Sequence, residues 1–349
     1  MHKKPGFILF LLFSILSTCS VIISLYFMQA ITYRQLMTVL VAKQKTHRLA
    51  LSGVALAHSV ITPQESKDQE AKEAKTPEAK APGQKAETNT DQTVLKQLAP
   101  FFNKQETYKL TQKSDGIDAT ISIAIQSEQG KLNLNSLYDF EKKKFLNEGQ
   151  PNDRKKLCTW MFEKIAAITK KPTLFPAFEK HLATRKVDFN DVTELLSIKE
   201  FETAFQSNVF LNFEASEKEN LFLTDLFTVS TEQDTINPWL LSQSWCKILG
   251  LKPKPNMTKE ETDTLFAKCK KTANWETDWN NSLKDLYQKE YKDLAQEIKT
   301  ILTTQFEANI FSLLLKANIN ETSSTIFTIV RSKAENSLIS IEVMKAYQI

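Results

Sequence analysis

The side chains that could do chemistry are spread thinly along this chain of 349 residues. The four histidines, His2, His47, His58 and His181, stand far apart in sequence. No HExxH, GxSxG, Walker A or GxGxxG pattern occurs. Only seven glycines are present, and none are grouped as a phosphate-cradling loop needs. The cysteines, Cys19, Cys158, Cys246 and Cys269, form no CxxC pair and show no metal-type spacing. Cys246 and Cys269 bracket a short polar segment. They suit a disulfide in an oxidising compartment, and three free thiols, Cys158 included, suit the pattern equally. Carboxylates sit mainly beside lysines, as in Glu141-Lys142-Lys143 and Lys259-Glu260-Glu261, and read as solvated faces. Calcium needs only carboxylates and carbonyls, but no Asp-x-Asp-x-Asp loop gives it an address, and no other cofactor is indicated. Trp239, Trp245, Trp275 and Trp279 read as core residues. A net charge of +4 is too small for a nucleic-acid binder. The chain therefore does not read as an enzyme.

The N-terminus is more informative. Met1-His-Lys-Lys-Pro-Gly6 precedes an uncharged run from Phe7 to Tyr33. Roughly 20 apolar residues of helix cross a bilayer core, so this run is long enough to span. It is too long for a secretory signal peptide, and no small-x-small cut site clearly ends it. A plain signal anchor fits. So does a prepilin-type leader, in which a basic stretch ending in Gly6 is cut off before Phe7 and the helix is kept. Charge leaves the orientation open. His2, Lys3 and Lys4 precede the run, while Arg34, Lys43, Lys45 and Arg48 follow it with no acid among them.

Helical signals continue past the run. Leu36, Val39, Leu40, Leu49, Leu51, Val54, Leu56 and Ala57 recur at helical spacing, and Pro63 ends the pattern. Residues 7–61 thus read as one helix of about 80 Å. Residues 62–92 are Glu, Ala, Lys and Pro with no larger aliphatic, and read as a disordered linker. Folded material is expected again near Val94. Asp115-Gly116 reads as a turn, and Ile117 to Gln126 alternates as a half-buried strand. Three further alternations, around Phe311–Ala317, Phe327–Ile329 and Ile339–Val343, are separated by NINETSS and SKAEN and predict an antiparallel meander. Between these regions the pattern is helical. It predicts a helix over 152–169 capped by Asn152 or Asp153, two short helices over 188–206, and a charged helical stretch over 259–304. The fold class is α+β: a long N-terminal helix, an antiparallel sheet completed by the chain's two ends, and helical insertions between.

Several segments together resemble the K-type minor pseudopilin of type II secretion systems (general secretion pathway protein K). Lys3-Lys4-Pro5-Gly6 before Phe7 looks like a prepilin peptidase site. Pilin-like proteins usually carry Glu five residues into the mature chain. Here that place holds Leu11, and K-type subunits are similar in having an uncharged residue there. Residues 44–61 look like the family's post-membrane helix. Gly130 to Leu137 (GKLNLNSL) is similar to its GKxNLNxL, and Phe189 to Ile198 to its Phe-x4-Glu-Leu-x2-Ile. Leu223 to Val229 and Ile236 to Leu241 resemble its DLxTV segment and the INxNTAP segment after it, although Trp239 follows Pro238 directly and the second Asn is absent.

The resemblance implies a pilin-like α+β domain with an inserted helical domain. The division is then a leader over 1–6, a transmembrane and stalk helix over 7–61, the linker 62–92, pilin-like parts over 93–144 and 221–349, and the insertion over 145–220. It also implies an inner-membrane protein with its bulk in the periplasm, at the tip of a pseudopilus. Its partners would be the I- and J-type minor pseudopilins, the major pseudopilin and prepilin peptidase. A minor pilin of type IV pili and a single-span periplasmic scaffold are the other classes the pattern fits.

Overall fold

The computed structural model describes residues 5–61, 104–211, 220–253, 274–303, 309–335 and 338–349. The linker 62–92, the resumption near Val94, Cys269 and the Lys259-Glu260-Glu261 run lie outside these.

Helix α1 runs unbroken over Pro5–Ile61. From Leu9 to Val41 it is exposed among the described residues: Phe10 is 72% exposed and Phe27 68%. Its second part lies on a five-stranded antiparallel sheet, β1 (Gln105–Leu110), β2 (Ala119–Ser127), β3 (Ile310–Ile319), β4 (Thr322–Glu335) and β5 (Leu338–Gln348), paired in that order. The face of α1 laid on the sheet is narrower in side chain than the apolar periodicity predicts. Its centre is Thr46, Ala50, Gly53 and Ala57, all buried, while Leu49, Val54 and Leu56 flank them and Leu51 points outward. Small side chains let the helix axis come close. A Cβ on Gly53 would lie 3.3 Å from Leu315 Cδ2 and 3.4 Å from Ile121 Cγ2.

The meander has the predicted order, with three differences. Strand β1 is present where no strand was expected, because QETYKL carries only Tyr108 and Leu110 as apolar markers. Strand β4 continues through Ser332–Glu335, where a turn was expected. Strand β2 is buried on both faces: Ile121, Ile123 and Ile125 face α1, and Ser122 and Gln126 are covered from the other side.

The described residues between β2 and β3, neighbours in the sheet, are mostly helices and turns with a few two-residue strands. Helix α2 (Arg154–Thr169) is capped by Asp153, whose carboxylate accepts from Lys155 N and Lys156 N. It packs with α3 (Phe175–Thr184) and α4 (Lys199–Phe205) around Phe162, Phe178 and Phe201. Helix α5 (Gln243–Leu249) places Trp245 fully inside. The charged stretch near residue 300 is helical in short pieces, Trp275–Ser282, Lys284–Tyr287 and Gln296–Lys299, with Trp279 buried.

Candidate functional site: a buried polar joint

Four of the family-like segments are far apart in sequence and meet at one place. Where β2 ends, the chain turns through a short 3-10 turn at Glu128–Gly130 and enters the helical part. Leu132–Asn133 then pairs in parallel with Phe227–Thr228. Asn237 N donates to Gln129 O at 2.8 Å. Gly130 lies flat against the Pro238–Leu241 turn: a Cβ there would sit 1.7 Å from Leu240 O. Only glycine allows that approach of two backbones.

The joint is held by buried charge. Lys131 and Glu128 are each 1% exposed. Lys131 Nζ lies 2.5 Å from Glu128 Oε1 and donates to Ser312 Oγ at 2.9 Å, which ties the pair to β3. Glu128 Oε2 accepts from Thr228 Oγ1. Asp225, also fully buried, accepts from Gln126 Nε2 of β2 through Oδ1 and from Ser244 N through Oδ2. Its carbonyl accepts from Ser242 Oγ at 2.6 Å, and Leu226 O accepts from Trp245 Nε1 at 2.8 Å. Every oxygen of these two carboxylates has a partner, as burial of charge requires.

The two asparagines of the motif act as adaptors. Asn133 donates to Thr231 O at 2.6 Å. Asn135 donates to Phe189 O at 2.9 Å and accepts from Phe189 N at 2.8 Å, so one side-chain amide stands in for a strand partner. A second tie lies close by. Asp191 caps the Val192–Ser197 turn and accepts from Tyr347 Oη and Lys345 Nζ of the last strand. Burial pushes the Asp191 carboxyl upward, but hydrogen bonds from Thr193 and Tyr347 outweigh it and hold the group below the usual carboxylate range. Burial and the same carboxylate raise the Tyr347 hydroxyl.

Glu128, Lys131 and Asp225 are sealed from solvent, so this arrangement fixes geometry; Asp191 and Lys345 beside it are partly exposed and paired with each other. Among the described residues the histidines stay separate: His47 and His58 lie three turns apart on α1, and His181 stacks on Phe189. Among the described residues no group of three or more His, Cys, Asp or Glu side chains converges. Burial raises the thiols of Cys158 and Cys246. Gly6 and Phe7 lie in the first turn of α1, and Leu11 follows one turn on, exposed among apolar neighbours. Sequence reasoning took Gly130 to Leu137 only as a likeness and missed Glu128, Lys131 and Asp225 as a network. The signal was there in three short segments that mix polar and apolar residues, GKLNLN, TDLFT and INPW, of which the first carries Lys131 and the second Asp225.

Fold and joint together define an α+β protein with, among the described residues, one helix long and apolar enough to cross a membrane and a folded part backed by the same helix. The chain is similar to a chain in the crystal structure of the GspK-GspI-GspJ complex from the enterotoxigenic Escherichia coli Type 2 Secretion System. Identity is 13% and the TM-score 0.43, over 87% of this chain and 97% of that one. No family model and no curated protein matches.

Proposed function

We propose that the chain is a minor pseudopilin of the K type, a structural subunit at the tip of a type II secretion pseudopilus, with no catalytic role. The observation that carries this reading is α1. One continuous helix is uncharged from Phe7 to Tyr33 and exposed from Leu9 to Val41, backs an antiparallel sheet further on, and bears Leu11 where filament subunits usually carry Glu. A carboxylate in hydrocarbon costs roughly 2.5–3.5 kcal/mol unless a neighbour pairs with it. A subunit with nothing above it gains by having none. After cutting between Gly6 and Phe7, the free amine of Phe7 would still serve a Glu from the subunit below. The helical region over 145–220 would widen the subunit at its top, too broad for the shaft. The anchor would lie in the inner membrane and the bulk in the periplasm, beside I- and J-type minor subunits and above the major one.

Intact mass of the protein taken from membranes of a host with prepilin peptidase tests the processing: Phe7 is the expected first residue, and Met1 or His2 there ends that claim. Imaging of labelled subunits should find this chain at filament ends only. A uniform distribution along the length rules out the tip.

A further inference from the structure

We propose that the outer edge of β5 takes up an extended segment of another protein as a sixth strand of the sheet. β5 is the last strand of the sheet and pairs on one side only, with β4. It is 11 residues long, about twice the usual strand. Ser332 N donates to Asn309 O at 2.7 Å, so the backbone of Ser332 faces β3. Its register partner Ile341 therefore turns its own N–H and C=O away from β4. By alternation Ile339 and Val343 do the same. Among the described residues no other backbone meets these groups. None of residues 341–348 is buried.

The two edges of the sheet differ in protection. β1 is six residues long and shows Glu106 and Lys109 to solvent, the short charged form that discourages pairing. The straight part of β5 before its bulge, Leu338 to Val343, has no Lys, Arg or Pro, and Glu342 is its one charge. Lys345 lies beyond the bulge and is spent on Asn190 O and Asp191. The edge itself selects the occupant. A helix uses its N–H and C=O groups internally, whereas an extended chain presents them at the spacing of β5. Val343 is 51% exposed, two residues from Ile341, which packs on the core. The added strand would therefore set a β-branched or aromatic residue beside Val343. No described strand of this chain is free to do so. The inference rests on the proposed tip position in choosing another protein over a second copy, since a tip holds one copy.

The test uses the full chain in its native membrane, with a photo-crosslinker in place of Ser340 in one variant and of Glu342 in another. The expected adduct is one other protein, linked at residues two apart in its sequence, as strand pairing requires. A docked helix would give steps of roughly three or four. Val343→Pro removes an N–H that β4 does not use and should lower the yield about tenfold. Val343→Thr keeps that N–H and should keep the yield. Circular dichroism and membrane fractionation check that each variant is folded and anchored. The step of two is read without the proline, so it decides even if Val343→Pro misfolds. Helical steps, an unchanged yield in folded Val343→Pro, adducts only within this chain or to a second copy, or no adduct at all overturn the inference. A chain that is cut before Phe7 and found at filament ends, yet gives no such adduct, loses this inference and keeps the proposed function. A strand-register adduct to another protein from chains spread along the shaft keeps the inference and removes the tip.

Discussion

The sheet is held from its two sides by opposite means. On one face α1 lies on Ile121, Leu315 and their neighbours through Ala50, Gly53 and Ala57, with no charge at the contact. At the other side and end, the helical part is fastened through Lys131–Glu128, Asp225 and two asparagines. The apolar contact is non-directional: its strength follows area and fit, and it tolerates small slips along the helix. The polar joint is directional. Each buried charge has a single arrangement of partners, so the joint is costly to disturb and fixes how the helical part sits on the sheet.

That contrast can be broken at named residues, with melts of the full chain in detergent followed by circular dichroism. The largest effect is expected from Gly130→Ala. Its Cβ would meet Leu240 backbone at 1.7 Å, so the loss should exceed the roughly 1–3 kcal/mol of ordinary overpacking. A wild-type melt for this variant would mean that the two backbones part freely. Next comes Lys131→Met, which strands Glu128 and should cost about 3–5 kcal/mol. Adding Glu128→Gln should recover most of it; a double variant as weak as the single one argues against charge as the cause. Gly53→Leu should prise α1 from the sheet at about 1–3 kcal/mol, with hydrogen exchange rising in β2 and β3 while α2 stays protected. If protection falls everywhere alike, the two attachments are not separable.

The smallest effect concerns Asp191 and Tyr347. Tyr347→Phe should cost about 1 kcal/mol. The folded Asp191 carboxyl is depressed, so its contribution is present above the unfolded value of about 3.9 and is lost as pH falls through the lower, folded one. Melting temperatures of wild type and Asp191→Asn should therefore differ at neutral pH and converge in acid. A constant gap across that window would assign the effect to shape alone.

Much of the frame was legible from periodicity. The unbroken helix, the strand after Gly116 and the C-terminal meander follow directly from which residues are apolar and how they repeat. The helix face was harder. The periodicity named Ala57 correctly, but large apolar residues drew attention to Leu51, whereas closeness of packing also selects Ala50 and Gly53, which carry little hydrophobic signal of their own. Strand β1 was missed because an edge strand with one face open needs few apolar residues. The joint was visible only as short motifs. Its partners lie about 100 residues apart, as with Gln126 and Asp225, and no local pattern announces such a pairing.

The order of strands also sets when the sheet can exist at all. Ser127 and Phe311 are register partners, and β2 has no inner neighbour until the last part of the chain has been made. Closing so long a loop is modest at equilibrium, because each doubling of length adds only about 0.6 kcal/mol. It weighs on rate, since non-local pairings form late. During synthesis α1 is complete early, while β1 and β2 wait as an open-edged hairpin for the C-terminal strands. Chains stopped before residue 310 therefore carry α1 without the complete sheet it lies on, which exposes Ile121, Ile123 and Ile125 to proteases. The strands over 310–349 thereby act as a late clasp: the sheet behind α1 is compact only once they have been made.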